Sequence, residues 1–134
     1  MIAAAVRSAV YDHVYAHADH EVGGVLVGAA GAVTASIPAL DAVGKRASVT
    51  FTHESWAKVH ERLERDFPED QIVGWYHSHP GFGVFLSAHD RFIHEHFFSG
   101  AYQVAVVIDP VARTTGVFGW RDRKLVALDA PGHA

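Results

Sequence analysis

Apolar residues recur at helical spacing at the start of the chain. Val6, Val10, Val14 and Ala18 fall on one face of a helix predicted over residues 5–20, with Arg7, Asp12 and His13 elsewhere around its axis. The period then changes. The run "EVGGVLVGAAGAVTASIPAL" predicts a strand at about 22–29, a Gly/Ala turn, and a second strand at about 32–37 that Pro38 ends. "ASVTFTH" at 47–53 is β-branched and predicts a strand. Helical period returns in "ESWAKVHERLERDF", where Trp56, Val59, Leu63 and Phe67 share a face and Pro68 stops the run. "QIVGWYHSH" predicts a strand, "PGFGVFL" a loop, and "SAHDRFIHEHFF" a helix opened by a capping signature. "YQVAVVID" is almost continuously apolar, as a strand buried on both faces is. Asp109-Pro110 opens a turn, "TTGVFGW" and "KLVAL" form a last hairpin, and "DAPGHA" is a loose tail. This order of elements predicts an α+β fold, a mostly antiparallel or mixed sheet packed by helices. No repeat or linker divides the 134 residues, which read as one domain.

Composition narrows the chemistry. Hydrophobic residues make up 49% and charged residues 19%, the balance of a folded protein. No stretch of 18 apolar residues occurs, so no membrane span is expected. "MIAAAVRSAV" lacks a basic leader and reads as the first helix rather than a signal peptide. Eleven basic against fifteen acidic residues give a net charge of −4, which argues against a broad nucleic-acid-binding face. There is no cysteine, so disulfides, thiolate metal sites and cysteine nucleophiles are excluded together. A metal site must then use His, Asp or Glu, a donor set that favours zinc or another borderline divalent ion.

Three pieces of sequence carry that possibility, and each has a plainer reading beside it. His77 and His79 stand two apart on a predicted strand, so alternation puts both imidazoles on one face. Strand histidines can equally face solvent or a hydrogen-bonded core. Ser87 and Asp90 form a Ser-x-x-Asp pair before a helix, which is a capping box and would also fix a carboxylate rigidly. Two imidazoles and one carboxylate complete a catalytic zinc shell with one position open. Glu21 lies where the first helix meets "VGGVLVG"; it is either a solvated helix end or a base beside the metal. Gly23 and Gly24 after it allow another backbone to come close.

Together these residues resemble the JAMM (MPN+) metalloprotease signature. Glu21, then His77-x-His79, seven residues, Ser87, two residues and Asp90 match it without gap or substitution. "GWYHSHPGFGVFLS" is similar to the same segment of the proteasome-lid deubiquitinase, and "EVGGVLVG" resembles the Glu-x-Gly-Gly strand of compact prokaryotic-type members. The resemblance implies the MPN (JAB1/MPN, cytidine-deaminase-like) fold: a curved mixed or antiparallel sheet packed by about three helices, with its core at about residues 3–128. It implies one zinc ion held by His77, His79 and Asp90 with a water as fourth ligand. It makes Glu21 the general base and Ser87 the donor to the developing oxyanion.

Ser78, between the ligands, points to the opposite face and is assigned to structure. Trp75 either walls the site or fills the core. Gly81 and Gly83 would shape the approach of substrate, and His89 would touch it through proximity alone. His53, His60, His94 and His96 are expected to face solvent. The implied reaction is hydrolysis of the bond after the C-terminal Gly-Gly of a ubiquitin-like protein attached to a target lysine. The alternatives are trimming of a ubiquitin-like precursor or sulfur carrier, and a non-catalytic scaffold. The chain is short for the inserted segments of linkage-selective relatives, so linkage selectivity is not expected. A cytoplasmic location is expected, and the fold allows a homodimer.

Overall fold

The computed structural model describes residues 2–39, 43–45, 48–128 and 132–133. Their elements are α1 (Ala4–Tyr15), β1 (Gly23–Ala29), β2 (Ala32–Pro38), β3 (Val43–Lys45), β4 (Ser48–Thr50), α2 (His53–Asp66), β5 (Gln71–Ser78), α3 (Ala88–Phe97), β6 (Val104–Asp109), β7 (Thr114–Arg121), β8 (Lys124–Ala127) and β9 (Gly132–His133). The main sheet runs β2-β1-β5-β6-β7-β8, with β9 also on β7, and β3-β4 form a separate hairpin. Among the described strands only β5 and β6 pair in parallel, Gly74 opposite Val104 through Ser78 opposite Ile108, and a lone parallel bridge joins Ile2 to Val33. The connection between them carries α3. The fold is therefore α+β with a mixed, mainly antiparallel sheet, as the pattern predicts.

Two apolar clusters sandwich this sheet. Val6, Val10 and Val14 of α1 pack with Leu26, Val33, Tyr76, Val106 and Ile108 on one face. On the other, Val59 and the partly buried Trp56, Leu63 and Phe67 of α2 join Ile93, Phe98, Trp75, Ala105 and Val107. Residues of β6 thus alternate between the clusters, which is why its sequence is apolar almost throughout. Each valine removed completely from water contributes about 1.5–3 kcal/mol, so the zero exposure of Val14, Val25, Val27 and Val107 is a large part of what offsets chain entropy. β5 bulges where the register against β1 jumps from Gly74 to Ile72. The bulge puts Val73 and Tyr76 in the α1-side cluster while Trp75 faces the other.

Three boundaries depart from the sequence pattern. α1 ends at Tyr15 rather than 20, because Val14 is its last buried residue and the polar run after it turns, with the His17 N–H donating to the Val14 carbonyl. The strand expected at 47–53 stops at Thr50, since the Thr52 side chain caps α2 by accepting from the Ser55 N–H at 3.0 Å; residue 47 lies outside the described residues. In the tail, Gly132 and His133 pair with Thr115 and Thr114, while 129–131 and 134 lie outside the described residues. Among the described residues no helix is long and apolar enough to cross a membrane.

Candidate metal centre

The end of β5 delivers the two histidines. His77 is opposite Gly23 of β1 and Val107 of β6 and is wholly buried. His79 lies one residue past the strand, where its N–H still donates to the Ile108 carbonyl at 2.8 Å. The rings therefore emerge together, as period-2 alternation predicts. Trp75, two residues before His77, stacks on its ring at 4.5 Å and 10°. A glycine at position 24 is required here: a Cβ would come within 2.6 Å of the Ile37 carbonyl oxygen and the Tyr76 ring.

The carboxylate comes from α3. Ser87 caps that helix: its hydroxyl oxygen accepts from the Asp90 N–H at 3.1 Å, and its own N–H donates to Asp90 Oδ2 at 3.0 Å. The capping box fixes Asp90 with Oδ2 turned to the histidines. Asp90 Oδ2 lies 3.0 Å from His77 Nε2 and 3.1 Å from His79 Nε2, and the two Nε2 atoms are 3.0 Å apart. A tetrahedral zinc with bonds of about 2.0–2.1 Å holds its ligand atoms about 3.3 Å apart. The triangle is thus close to the size such an ion needs, and its donor types suit zinc. His77, His79 and Asp90 are the His/Asp/Glu group whose atoms could hold a metal among the described residues. The capping reading of the Ser87–Asp90 pair holds, and the cap is what aims the carboxylate at the histidines.

Hydrogen bonding fixes a proton on one ring nitrogen of His79. The Gly83 carbonyl, 3.0 Å from His79 Nδ1, can only accept. Nδ1 therefore carries a proton, and Nε2 is the nitrogen turned to the cluster, 3.1 Å from Asp90 Oδ2. His77 Nδ1 is buried without a hydrogen-bond partner, so its ring plane is held by the Trp75 stack instead. Charge follows the same geometry. Burial opposes ionisation of Asp90, but the hydrogen bonds to His77 and His79 outweigh it and hold this carboxyl far below the usual range. Burial lowers the His77 pKa. For His79 burial also acts to lower it, but the Asp90 carboxylate prevails and raises it.

Glu21 lies beside the cluster. It precedes β1, and two bonds stitch its neighbour to the ligand strand: the Val22 N–H donates to Ser78 Oγ at 3.0 Å, and the Ser78 N–H to the Val22 carbonyl at 2.9 Å. Ser78 is thus the structural residue expected of it. Glu21, His79, Ser87, Phe82 and Phe85 line one cavity of about 280 Å³. Glu21 is only 3% exposed, and burial raises its pKa from 4.5 to about 7; nearby His79 acts in the opposite direction and Asp90 adds to the rise.

Other expectations fare unevenly. His53, His60, His89 and His96 are exposed, and His89 is not among the cavity-lining residues. His94 is a correction: it has no exposure and accepts a 3.0 Å hydrogen bond at Nδ1 from the Trp75 indole N–H. It faces inward because α3 turns Asp90, Ile93 and His94 onto the sheet. Trp75 accordingly does two things, filling the core and backing His77. Gly81 and Gly83 have φ of 78° and 87°, a conformation that favours glycine. Sequence reasoning missed Asp109, read only as a turn residue, and Phe82 and Phe85, which flank the cavity 48% and 47% exposed.

Comparison with known proteins agrees with this geometry. The chain is 41% identical over 61 residues to the ubiquitin carboxyl-terminal hydrolase RPN11 of Saccharomyces cerevisiae, covering 45% of this chain and 20% of that protein. It is 42% identical over 66 residues to the NAD(+) hydrolase TcpA of a Theionarchaea archaeon, covering 48% of this chain and 20% of that one. It is 32% identical over 123 residues to COP9 signalosome complex subunit 5 of Kluyveromyces lactis, covering 87% of this chain and 32% of that one. The matches thus span about a fifth to a third of these relatives. Protein DSY2949 from Desulfitobacterium hafniense shares the fold, with a TM-score of 0.75 at 14% identity over 96% of this chain and 88% of that one. The family model described as JAB1/Mov34/MPN/PAD-1 ubiquitin protease matches residues 1–100. With that model covering most of its 134 residues, the chain belongs to this family.

Proposed function

We propose that the protein is a zinc-dependent isopeptidase that hydrolyses the bond after the C-terminal Gly-Gly of a ubiquitin-like protein joined to a target lysine. The observation that carries this reading is the convergence of His77 Nε2, His79 Nε2 and Asp90 Oδ2 within 3.1 Å of one another, beside a cavity lined by buried Glu21. Zinc held by those three residues would supply Lewis acidity and make a water more acidic. The chain's own groups do the rest. The Glu21 carboxylate accepts the proton released by the attacking water and returns it to the departing lysine amine. A pKa lifted by burial to about 7 makes that oxygen competent in both directions near neutral pH. Ser87 Oγ accepts from the Asp90 N–H and keeps its own proton to donate toward the negative charge that develops on the scissile carbonyl oxygen. Phe82 and Phe85 give the cavity apolar walls against which an extended glycine tail lies. An enzyme without nucleic-acid partners fits the acidic balance of the chain.

Trimming of a linear extension from a ubiquitin-like precursor would use the same groups, and the substrate separates the two. Purified protein is expected to hold about one zinc and to cleave a branched Gly-Gly-lysine conjugate in a chelator-sensitive manner. Glu21→Gln should keep the zinc and lose cleavage. Cleavage of a linear fusion alone would favour the trimming enzyme. Absence of zinc binding would end the mechanism, and zinc without either cleavage would leave a scaffold.

A further inference from the structure

Besides Asp90 and Glu21, a third acidic side chain is buried among the described residues. Asp109 ends β6 and is 2% exposed. Its carboxylate accepts four backbone N–H groups: Oδ1 those of Gly81 at 2.9 Å, Val111 at 2.9 Å and Ala112 at 3.1 Å, and Oδ2 that of Gly83 at 3.0 Å. The Val111 and Ala112 contacts form the local turn that an Asp-Pro pair makes. The other two reach 28 and 26 residues back, into the loop that follows His79. No side chain packs at the two glycines where they attach, although Val84 beside them packs on the core. A Cβ at Gly81 or Gly83 would meet nothing within 4 Å, and both residues adopt a positive φ. Hydrogen bonds fix its shape instead, two to Asp109 and one from the Phe82 N–H to the His79 carbonyl at 3.1 Å. Gly83 joins the two ends of this arrangement. Its N–H donates to Asp109 Oδ2 while its carbonyl accepts from His79 Nδ1.

We propose that Asp109 is a positioning residue for the metal centre, holding Gly83 so that its carbonyl keeps the His79 proton on Nδ1 and leaves Nε2 to the ligand cluster. This rests on His79 acting as a metal ligand. Outer groups that orient a ligating imidazole typically change metal affinity by about 10–100-fold when removed. Asp109→Asn separates the two sets of contacts. Its amide oxygen still accepts from Gly81, Val111 and Ala112, while its NH₂ group is set against the Gly83 N–H, donor facing donor. The local turn survives and only the link to Gly83 breaks.

Two measurements on full-length protein read the result. Zinc affinity, by competition with a chromophoric chelator, should fall about tenfold or more in Asp109→Asn. In zinc-free protein, ¹H–¹⁵N NMR should show the His79 Nδ1–H as a hydrogen-bonded, slowly exchanging proton in the wild type and as a faster-exchanging one in the variant. Val14→Ala, a destabilising change in the α1-side cluster, should leave both unchanged. Wild-type affinity with an unchanged Nδ1–H in Asp109→Asn would overturn the proposal, as would an equal loss in Val14→Ala. If the wild type binds no zinc, the isopeptidase reading fails, and the Nδ1–H measurement still decides the role of Asp109.

Discussion

A carboxyl as buried as that of Glu21 weakens the fold once it ionises, and Glu21→Gln measures by how much. In the zinc-free protein burial lifts the Glu21 pKa from 4.5 to about 7. The folded state therefore binds its proton more tightly than the unfolded chain. The stability this contributes is fully present below pH 4.5 and is lost as pH rises through about 7. At about 1.4 kcal/mol per pH unit, the loss has a ceiling near 3 kcal/mol. Water penetration and relaxation of the cavity bring the expected value to about 1–3 kcal/mol. Glutamine has almost the same shape and cannot ionise. Urea unfolding of zinc-free wild type and Glu21→Gln should give closely similar stabilities at pH 4.5 and a variant more stable by about 1–3 kcal/mol at pH 8. Added zinc should shrink the difference, because a cation beside the carboxylate favours its ionised form. An equal gain at both pH values would show that packing rather than charge is responsible. No gain at pH 8 would refute the assignment of a desolvated, proton-holding carboxyl.

Two further outcomes test the supporting residues. Ser87→Ala removes the α3 side-chain cap and the hydroxyl proposed as oxyanion donor: stability should fall by about 1 kcal/mol, and kcat by about a hundredfold or more, with zinc retained because the Ser87 N–H still holds Asp90 Oδ2. Unchanged turnover on a Gly-Gly conjugate would exclude Ser87 from the chemistry. His94 runs opposite to Glu21, because burial lowers its pKa from 6.5 to about 4 and the unfolded chain takes up the proton first. Stability should drop as pH falls from 6.5 toward 4, by at most about 3 kcal/mol for this group. His94→Gln, whose amide oxygen can still accept from the Trp75 indole, should flatten that part of the wild-type pH–stability curve; an unchanged curve would place the acid sensitivity elsewhere.

What the sequence made legible divides along a physical line. Metal-binding chemistry lives in residue types and short spacings. His77 and His79 two apart on a strand, and Ser87 and Asp90 three apart at a helix start, each fix a local geometry that the fold then preserves. The sheet order was not written in this way, because the parallel pairing of β5 with β6 depends on a crossover and on the two apolar clusters meeting across it. Helix α1 was overextended because Ala18 continues a period that burial does not use. His94 misled for the related reason that a histidine on a helix shows no inward preference until Trp75, nineteen residues earlier, presents an N–H to it.

The support of the centre follows the same division, and this bears on how the centre works. Each member of the cluster is held by a ring stack or a backbone group: His77 by the Trp75 stack, His79 by the Gly83 carbonyl, Asp90 by the Ser87 N–H. These contacts orient donor atoms without occupying the side of the cluster on which Glu21, Ser87 and the phenylalanines form a cavity. The cost of the arrangement is concentrated in buried groups that resist their usual charge, chiefly Glu21 and His94. It is offset by the valine-rich layers on both faces of the sheet. A site of this kind should tolerate changes in those layers, as Val14→Ala tests, far better than a one-atom change at Asp109, although the first removes more buried surface.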